Sequence, residues 1–300
     1  MASKVKWTSD INDLKDIMPQ GSDRIPKILH YCWFGGNPIP EDLQKCLDSW
    51  EKLAGFTIMR WDETNCTFDE CVFVQKAYSD KKWCFVGDYY RLKYLCEYGG
   101  IYLDTDVFVN KSFDKLLANR AFLNFIFDSA VGTAVMGCEK NNPLFVALLD
   151  MYNNTVFDTV AEEKQVDKRL YYKDGKYHIK GYITNNYYFT YYILKNYPKF
   201  KLGNIYQELG DFTIYPKEFF EIGRLSLDHY AIHLCAGEWR SKENATNMKA
   251  RIKNLLMSCP FLFDYIRIIV RKKRYKNLNK SNPFYKCYLA QKSGQPMPEL

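Results

Sequence analysis

The stretch from Ile25 to Trp61 constrains the fold more than any other part of the chain. Ile28 to Phe34 is a continuous apolar and aromatic run, stopped by Gly35-Gly36. That pattern is a buried strand followed by a tight turn. Pro40 to Leu53 (PEDLQKCLDSWEKL) has a proline near its start, acids in its first turn and helical spacing of its apolar residues. Phe56 to Trp61 is strand-like again. Strand, helix and strand in this order predict an α/β fold with a parallel sheet. His30 lies on the first strand and is expected to be structural.

The pattern continues along the chain. Cys84 to Tyr98 is helical and ends at the pair Gly99-Gly100, a C-cap signal. IYLDTDVFV follows, a short strand running into a turn at its acids. Phe122 to Phe127 and Thr133 to Cys138 read as strands, and Pro143 to Tyr152 and Asn186 to Asn196 as helices. Leu170 to Lys180 is a surface hairpin with an Asp-Gly turn. Ile214-Tyr215 and Ala231 to Leu234 are expected to complete the sheet. The first 24 residues read as a short helix and linker. The 300 residues allow one large domain or two small ones, and 17% aromatics can fill a core and still line a pocket.

Asp104-Thr105-Asp106 is the most informative triplet. Ile101, Leu103, Val107 and Val109 enclose it, so the strand is buried while its acids need partners. Two carboxylates this close raise each other's pKa unless a cation is present. Mg²⁺ or Mn²⁺ suits carboxylate and phosphate oxygens; the plain alternative is a loop with two solvated acids. Asp88 and Arg91, three residues apart on the preceding helix, share a face. Leu92 and Leu95 turn that face inward. The four residues Asp88, Arg91, Asp104 and Asp106 therefore converge on one cleft at the C-terminal end of a strand, where open α/β sheets bind ligands.

FVGDYYRLKYLCEYGGIYLDTDV resembles the DXD sugar-binding signature of glycosyltransferase family 32, an aspartate, an arginine three residues on, then GGxYxDxD. IPKILHYCWFGGNPIP resembles the opening of its bacterial capsular-polysaccharide members, and YAIHLCAGEWRSK their His-containing closing motif. The resemblance runs from about Ile25 to Lys242, in three blocks in the expected order. The clostridial glucosylating toxins share the aspartate, arginine and DXD spacing. The resemblance implies a GT-A fold, with a mixed, mostly parallel sheet flanked by helices, a retaining reaction and a nucleoside-diphosphate sugar as donor, with Mn²⁺ or Mg²⁺. UDP is the default base. It also implies site roles. Trp33 would stack on the base, Asp88 would bond ribose or sugar hydroxyls, and Arg91 would sit near sugar or phosphate. Asp104 would face the ribose or sugar or reach the metal through water, Asp106 would ligate it directly, His233 would be a second ligand or a diphosphate contact, and Trp239 would cover the phosphates. His233, flanked by Ile232 and Leu234, reads equally as a core histidine. Where the family commonly has serine, this chain has Gly87 and Glu238. Asn185 and Asn186 read either as helix caps or as contacts to the donor sugar.

Charge divides the chain. Residues 240–300 hold 14 of the 42 Lys and Arg and 3 of the 35 Asp and Glu, so a basic tail carries more than the whole net charge of +7. A slightly acidic body is not the pattern of a nucleic-acid-binding core, and no nucleic acid is expected as partner. The division expected is a 1–24 extension, a catalytic domain over 25–242 and a basic helical tail over 243–300. In the tail, Phe261, Leu262, Tyr265, Ile266, Ile269 and Val270 precede Arg271-Lys272-Lys273-Arg274. This suits either a helix lying on an anionic membrane surface or one docked on the body. No apolar run reaches a membrane span, no apolar leader is visible, and the ten cysteines form no CxxC. Reduced core thiols in a cytoplasmic protein, peripheral on the membrane's inner face, are the reading. The acceptor expected is a glycan or lipid-linked hydroxyl in capsular or surface polysaccharide synthesis. A protein acceptor, or a nucleotide-sugar binder disabled by Glu238, are the alternatives.

Overall fold

The first strand pair forms where the apolar runs place it. In a computed structural model describing residues 4–159, 168–224, 226, 228–235 and 260–300 (side chains of 260–267 excepted), β2 is Ile28–Cys32 and β3 is Thr57–Trp61. They pair in parallel across helix α1, Glu41–Ser49. Helices α2 (Val72–Ser79) and α3 (Trp83–Tyr98) then lead to β4, Gly100–Leu103, parallel to β2 on its other side. Beyond β4 the sheet turns antiparallel through β7 (Ala130–Cys138), hairpin partner of β6 (Ala121–Phe127). With β1 (Lys6–Thr8), β11 (Gln207–Glu208) and β12 (Thr213–Tyr215), eight strands lie in the order β1-β3-β2-β4-β7-β6-β12-β11. This is the mixed, mostly parallel sheet with flanking helices of the GT-A type.

Side chains alternate across the sheet and feed two cores, as a period of two requires. Ile28, Met59, Trp61 and Tyr102 face α2, α3, α4 (Pro143–Asn153) and α5 (Asn185–Asn196). Leu29, Tyr31, Ile58, Ile101 and Leu103 face α1 and the segments around Phe220 and Tyr230. His30 has the structural role expected of it. Its Nε2 lies 2.8 Å from Gly99 O, and the Trp61 indole N–H donates to its Nδ1 at 3.1 Å.

Three expectations need correction. The N-terminal extension is not only a short helix and linker: Lys6–Thr8 add a strand to the edge of β3. The hairpin β9 (Leu170–Lys173) and β10 (Lys176–Ile179) gains a third strand, β8 (Thr155–Phe157), and buries Leu170 and Ile179. Strand β13, Ala231–His233, does not complete the main sheet. It pairs antiparallel with β5, Val107–Val109, as a separate two-stranded ribbon.

The C-terminal part holds α6 (Pro260–Lys280) and α7 (Tyr285–Ser293). From Ile268 onward α6 is docked on the body: Ile268, Tyr275 and Asn279 are buried. Asn279 accepts from the N–H and the hydroxyl of Ser129 at the β6–β7 turn. The opposite side of α6 leaves Ile269, Val270 and Leu278 exposed, together with Lys272, Lys273 and Arg274. The side chains of Phe261, Leu262, Tyr265 and Ile266 lie outside the described residues. Among the described residues no helix is long and apolar enough to cross a membrane.

Candidate active site

The glycine pair at the end of α3 sets the direction of the acidic strand. Gly99 and Gly100 have φ of +69° and +109°, and the Gly99 N–H closes the helix on Leu95 O at 2.9 Å. A side chain at Gly100 would place its Cβ 2.6 Å from Ile28 O, so only glycine lets β4 lie against β2 here. β4 then runs to its C-terminal end, where the Val107 N–H bonds Asp104 O at 3.0 Å and closes the turn through Thr105 and Asp106. The far side of the turn is anchored from α1. The Trp50 indole donates to Val107 O at 2.9 Å, and Ser49 Oγ accepts from the Val109 N–H at 2.8 Å.

Arg91 organises the near side. Its NH2 lies 3.0 Å from Asp88 Oδ1 and 3.1 Å from Asp104 Oδ1. NH1 donates to Thr133 O at 3.0 Å, and the guanidinium lies over the Tyr102 ring at 4.4 Å. Expected near sugar or phosphate, Arg91 is buried, and its donors go to the protein. Asp88 is buried too, and burial lifts its pKa to about 6; Arg91 works against that shift, Asp104 adds to it, and the Asn185 N–H opposes it. The N-terminus of α5 thus points a backbone donor at a carboxylate, as helix dipoles favour. Asp104 is likewise raised by burial, with Arg91 opposing and Asp106 reinforcing. The Tyr102 hydroxyl donates to Asp104 Oδ1 at 3.1 Å.

The ribbon supplies the third member. β13 runs opposite β5 with His233 facing Val107, and the Leu234 N–H bonds Asp106 O at 2.8 Å. His233 Nε2 thereby comes within 3.2 Å of Asp106 Oδ1. Asp104, Asp106 and His233 each offer a ligand atom, all within 4.8 Å of one another. Two hard oxygens and one imidazole make a donor set that fits Mn²⁺ or Mg²⁺.

Sequence reasoning missed Glu221. It is fully buried, and its Oε2 lies 2.9 Å from His233 Nδ1. Burial disfavours a charged His233, but Asp106 and Glu221 outweigh it and hold the ring's pKa well above the ordinary value. A cation held at Nε2 would therefore have to displace a proton there. The signal for Glu221 was a single acid between Phe220 and Ile222, which reads as an isolated surface charge.

The remaining expected residues are placed as follows. Trp33 lies half-buried just past β2, its indole donating to Asn37 O at 2.6 Å. Trp239 and Glu238 lie outside the described residues. Thr184, not an asparagine, is the residue preceding α5; Asn186 is occupied with Val131 O at 2.8 Å, while buried Asn185 leaves its Nδ2 without a hydrogen bond. Tyr102 and Thr133 complete the site without having been singled out.

The family described as "Glycosyltransferase sugar-binding region containing DXD motif" matches residues 40–123, which include α3, β4 and both acids. The chain is 31% identical over 142 residues to inositol phosphoceramide mannosyltransferase 3 of Schizosaccharomyces pombe, covering 45% of this chain and 39% of that protein. It is 32% identical over 133 residues to the mannosyl phosphorylinositol ceramide synthase CSH1 of Saccharomyces cerevisiae, covering 42% and 34%. The match thus spans well under half the length of these curated relatives. Among solved structures, the PaToxG glycosyltransferase aligns at a TM-score of 0.43 and 19% identity, covering 59% of this chain and 71% of that one. A GT-A sheet bearing a DXD motif at the end of β4, with relatives that transfer sugars, relates this chain to the glycosyltransferases.

Proposed function

We propose that this protein is a metal-dependent, retaining glycosyltransferase of the family 32 type. It moves a sugar from a nucleoside diphosphate, UDP by default, to a hydroxyl of a glycan or lipid-linked acceptor. One observation carries the reading: Asp104, Asp106 and His233 bring three ligand atoms together at the C-terminal end of β4. A divalent cation held by these three supplies Lewis-acid stabilisation of the leaving diphosphate.

The other residues bind and orient. Buried Asp88 and half-buried Asp104, fixed by Arg91 and the α5 N-terminus, offer acceptors to sugar or ribose hydroxyls, and the unpaired Nδ2 of Asn185 offers a donor. Stacking of the base on Trp33 contributes about 1–3 kcal/mol. Trp239 is assigned to the phosphates. The names of the relatives describe mannose transfer to an inositol phosphoceramide. They support a lipid-linked acceptor and make a mannose donor the second to test. The exposed apolar and basic side of α6 fits a protein peripheral on an anionic membrane. None of the nine described cysteines is in a disulfide, which suits a reducing compartment.

Thermal melting with UDP-, GDP- and CMP-sugars, each with and without Mn²⁺, tests the reading. A donor at 100 times its Kd stabilises by about 2.7 kcal/mol, a shift of several degrees. The expected result is a shift that needs both Mn²⁺ and one nucleotide, and that Asp106→Ala loses along with turnover. Metal-dependent turnover at the wild-type rate in Asp106→Ala would overturn the assignment.

A further inference from the structure

Glu221 is buried and its carboxylate is fully used. Its Oε1 accepts from Asn124 Nδ2 at 3.2 Å, and its Oε2 faces His233 Nδ1 at 2.9 Å and accepts from the Tyr275 hydroxyl at 3.3 Å. A carboxylate in this position keeps a proton on Nδ1 and leaves Nε2 as the nitrogen for a cation. Gly132 makes the arrangement possible, because a Cβ there would sit 2.7 Å from Asn124 Nδ2 and 3.0 Å from Glu221 Oε1.

Tyr275 belongs to α6, and so does Arg271 one turn earlier. Arg271 NH1 donates to Glu221 O at 3.0 Å and to His233 O at 2.6 Å, and NH2 donates to Leu234 O at 2.9 Å. One guanidinium thus staples the backbone of the segment that carries the carboxylate to the strand that carries the imidazole. On the same face, Asn279 fastens the helix to Ser129.

We propose that α6 is a working part of the metal site, with Tyr275 and Arg271 as positioning residues. Through Glu221 they fix the tautomer and place of His233 so that its Nε2 meets a cation shared with Asp104 and Asp106. The proposal rests on the metal-binding reading above. Glu221, His233 and Cys235 also lie within 4.8 Å of one another. Both Glu221 oxygens are already engaged, and the Cys235 thiol is 3.2 Å from the Tyr275 hydroxyl, so this second group holds the first in place.

The test is a Mn²⁺ titration of the full chain, reading free Mn²⁺ by electron paramagnetic resonance, with a melting curve for each variant. Asp106→Ala is expected to lose binding. Tyr275→Phe, which keeps the ring, and Arg271→Gln are expected to weaken Mn²⁺ binding about ten-fold or more, the usual effect of losing an outer partner of a metal ligand. Asn279→Ala, which loosens the helix away from Glu221, is expected to lower the Tm and leave the Mn²⁺ affinity unchanged. Wild-type affinity in both Tyr275→Phe and Arg271→Gln, with Asp106→Ala inactive in binding, overturns the proposal alone. So does a loss of affinity in Asn279→Ala as large as in Tyr275→Phe, because the helix then acts only through stability. Wild-type binding by Asp106→Ala overturns the metal reading, and the proposal falls with it.

Discussion

His30 shows how much one buried side chain can contribute. Burial pushes its pKa down to about 4, against a weaker opposing effect of its bond to Gly99 O. The ring stays neutral because Trp61 donates to Nδ1, which must therefore keep its lone pair. In the unfolded chain the same ring titrates near 6.5. Between about pH 6.5 and 4 the unfolded state binds the extra proton, so stability falls as the pH drops through that window. The full effect is about 3 kcal/mol. Urea unfolding at pH 7.5, 6 and 5 should show this slope, and His30→Gln should lose one proton of it. Equal slopes in the two proteins would refute the argument. Asp88 and Asp104 lean the other way, since burial raises both, and that is the condition in which a cation or sugar hydroxyl is most useful to them. The DXD acids, Asp88 and Arg91 were legible because their spacing is local. Glu221 was not, because its meaning depends on a histidine that only the fold brings beside it.

At the scale of elements, the turn from α3 into β4 is the most sensitive joint. Gly100→Ala should cost about 2 kcal/mol or more, from positive φ and from the clash with Ile28 O together. Gly175→Ala in the β9–β10 turn is the control: its φ is +77° but nothing lies within 4 Å of the added carbon, so about 1 kcal/mol is expected. Chemical denaturation of both variants checks this, and equal losses would show that the clash relaxes away. The elements that could be read in advance, β2, α1, β3, α3, β6 and β7, are those whose own periodicity decides their state. β1 escaped because Lys6-Trp7-Thr8 is a three-residue edge strand that exists only by pairing with β3. Ala231–His233 could be read as a strand, but its partner could not: side-chain alternation says that a segment is extended, not which edge it joins.

For the whole molecule, α6 has two contrasting faces. One face holds Arg271, Tyr275 and Asn279 against the body, and the other exposes Ile269 and Val270 beside a basic run. Flotation on anionic vesicles should therefore fall when Ile269 and Val270 become Ser and Lys272, Lys273 and Arg274 become Gln, with turnover of a soluble acceptor unchanged. Undiminished flotation would assign those residues to solvent alone. The ribbon has a temporal consequence as well. Asn110 and His229, hydrogen-bonded at its edge, are 119 positions apart in sequence, and the support for His233 comes later still, from Tyr275. Contacts this distant carry the largest loop-closure cost. In a nascent chain the acidic turn is synthesised before the imidazole and its clamp. Until residue 275 is made, His233 therefore lacks the support that Tyr275 gives its partner Glu221.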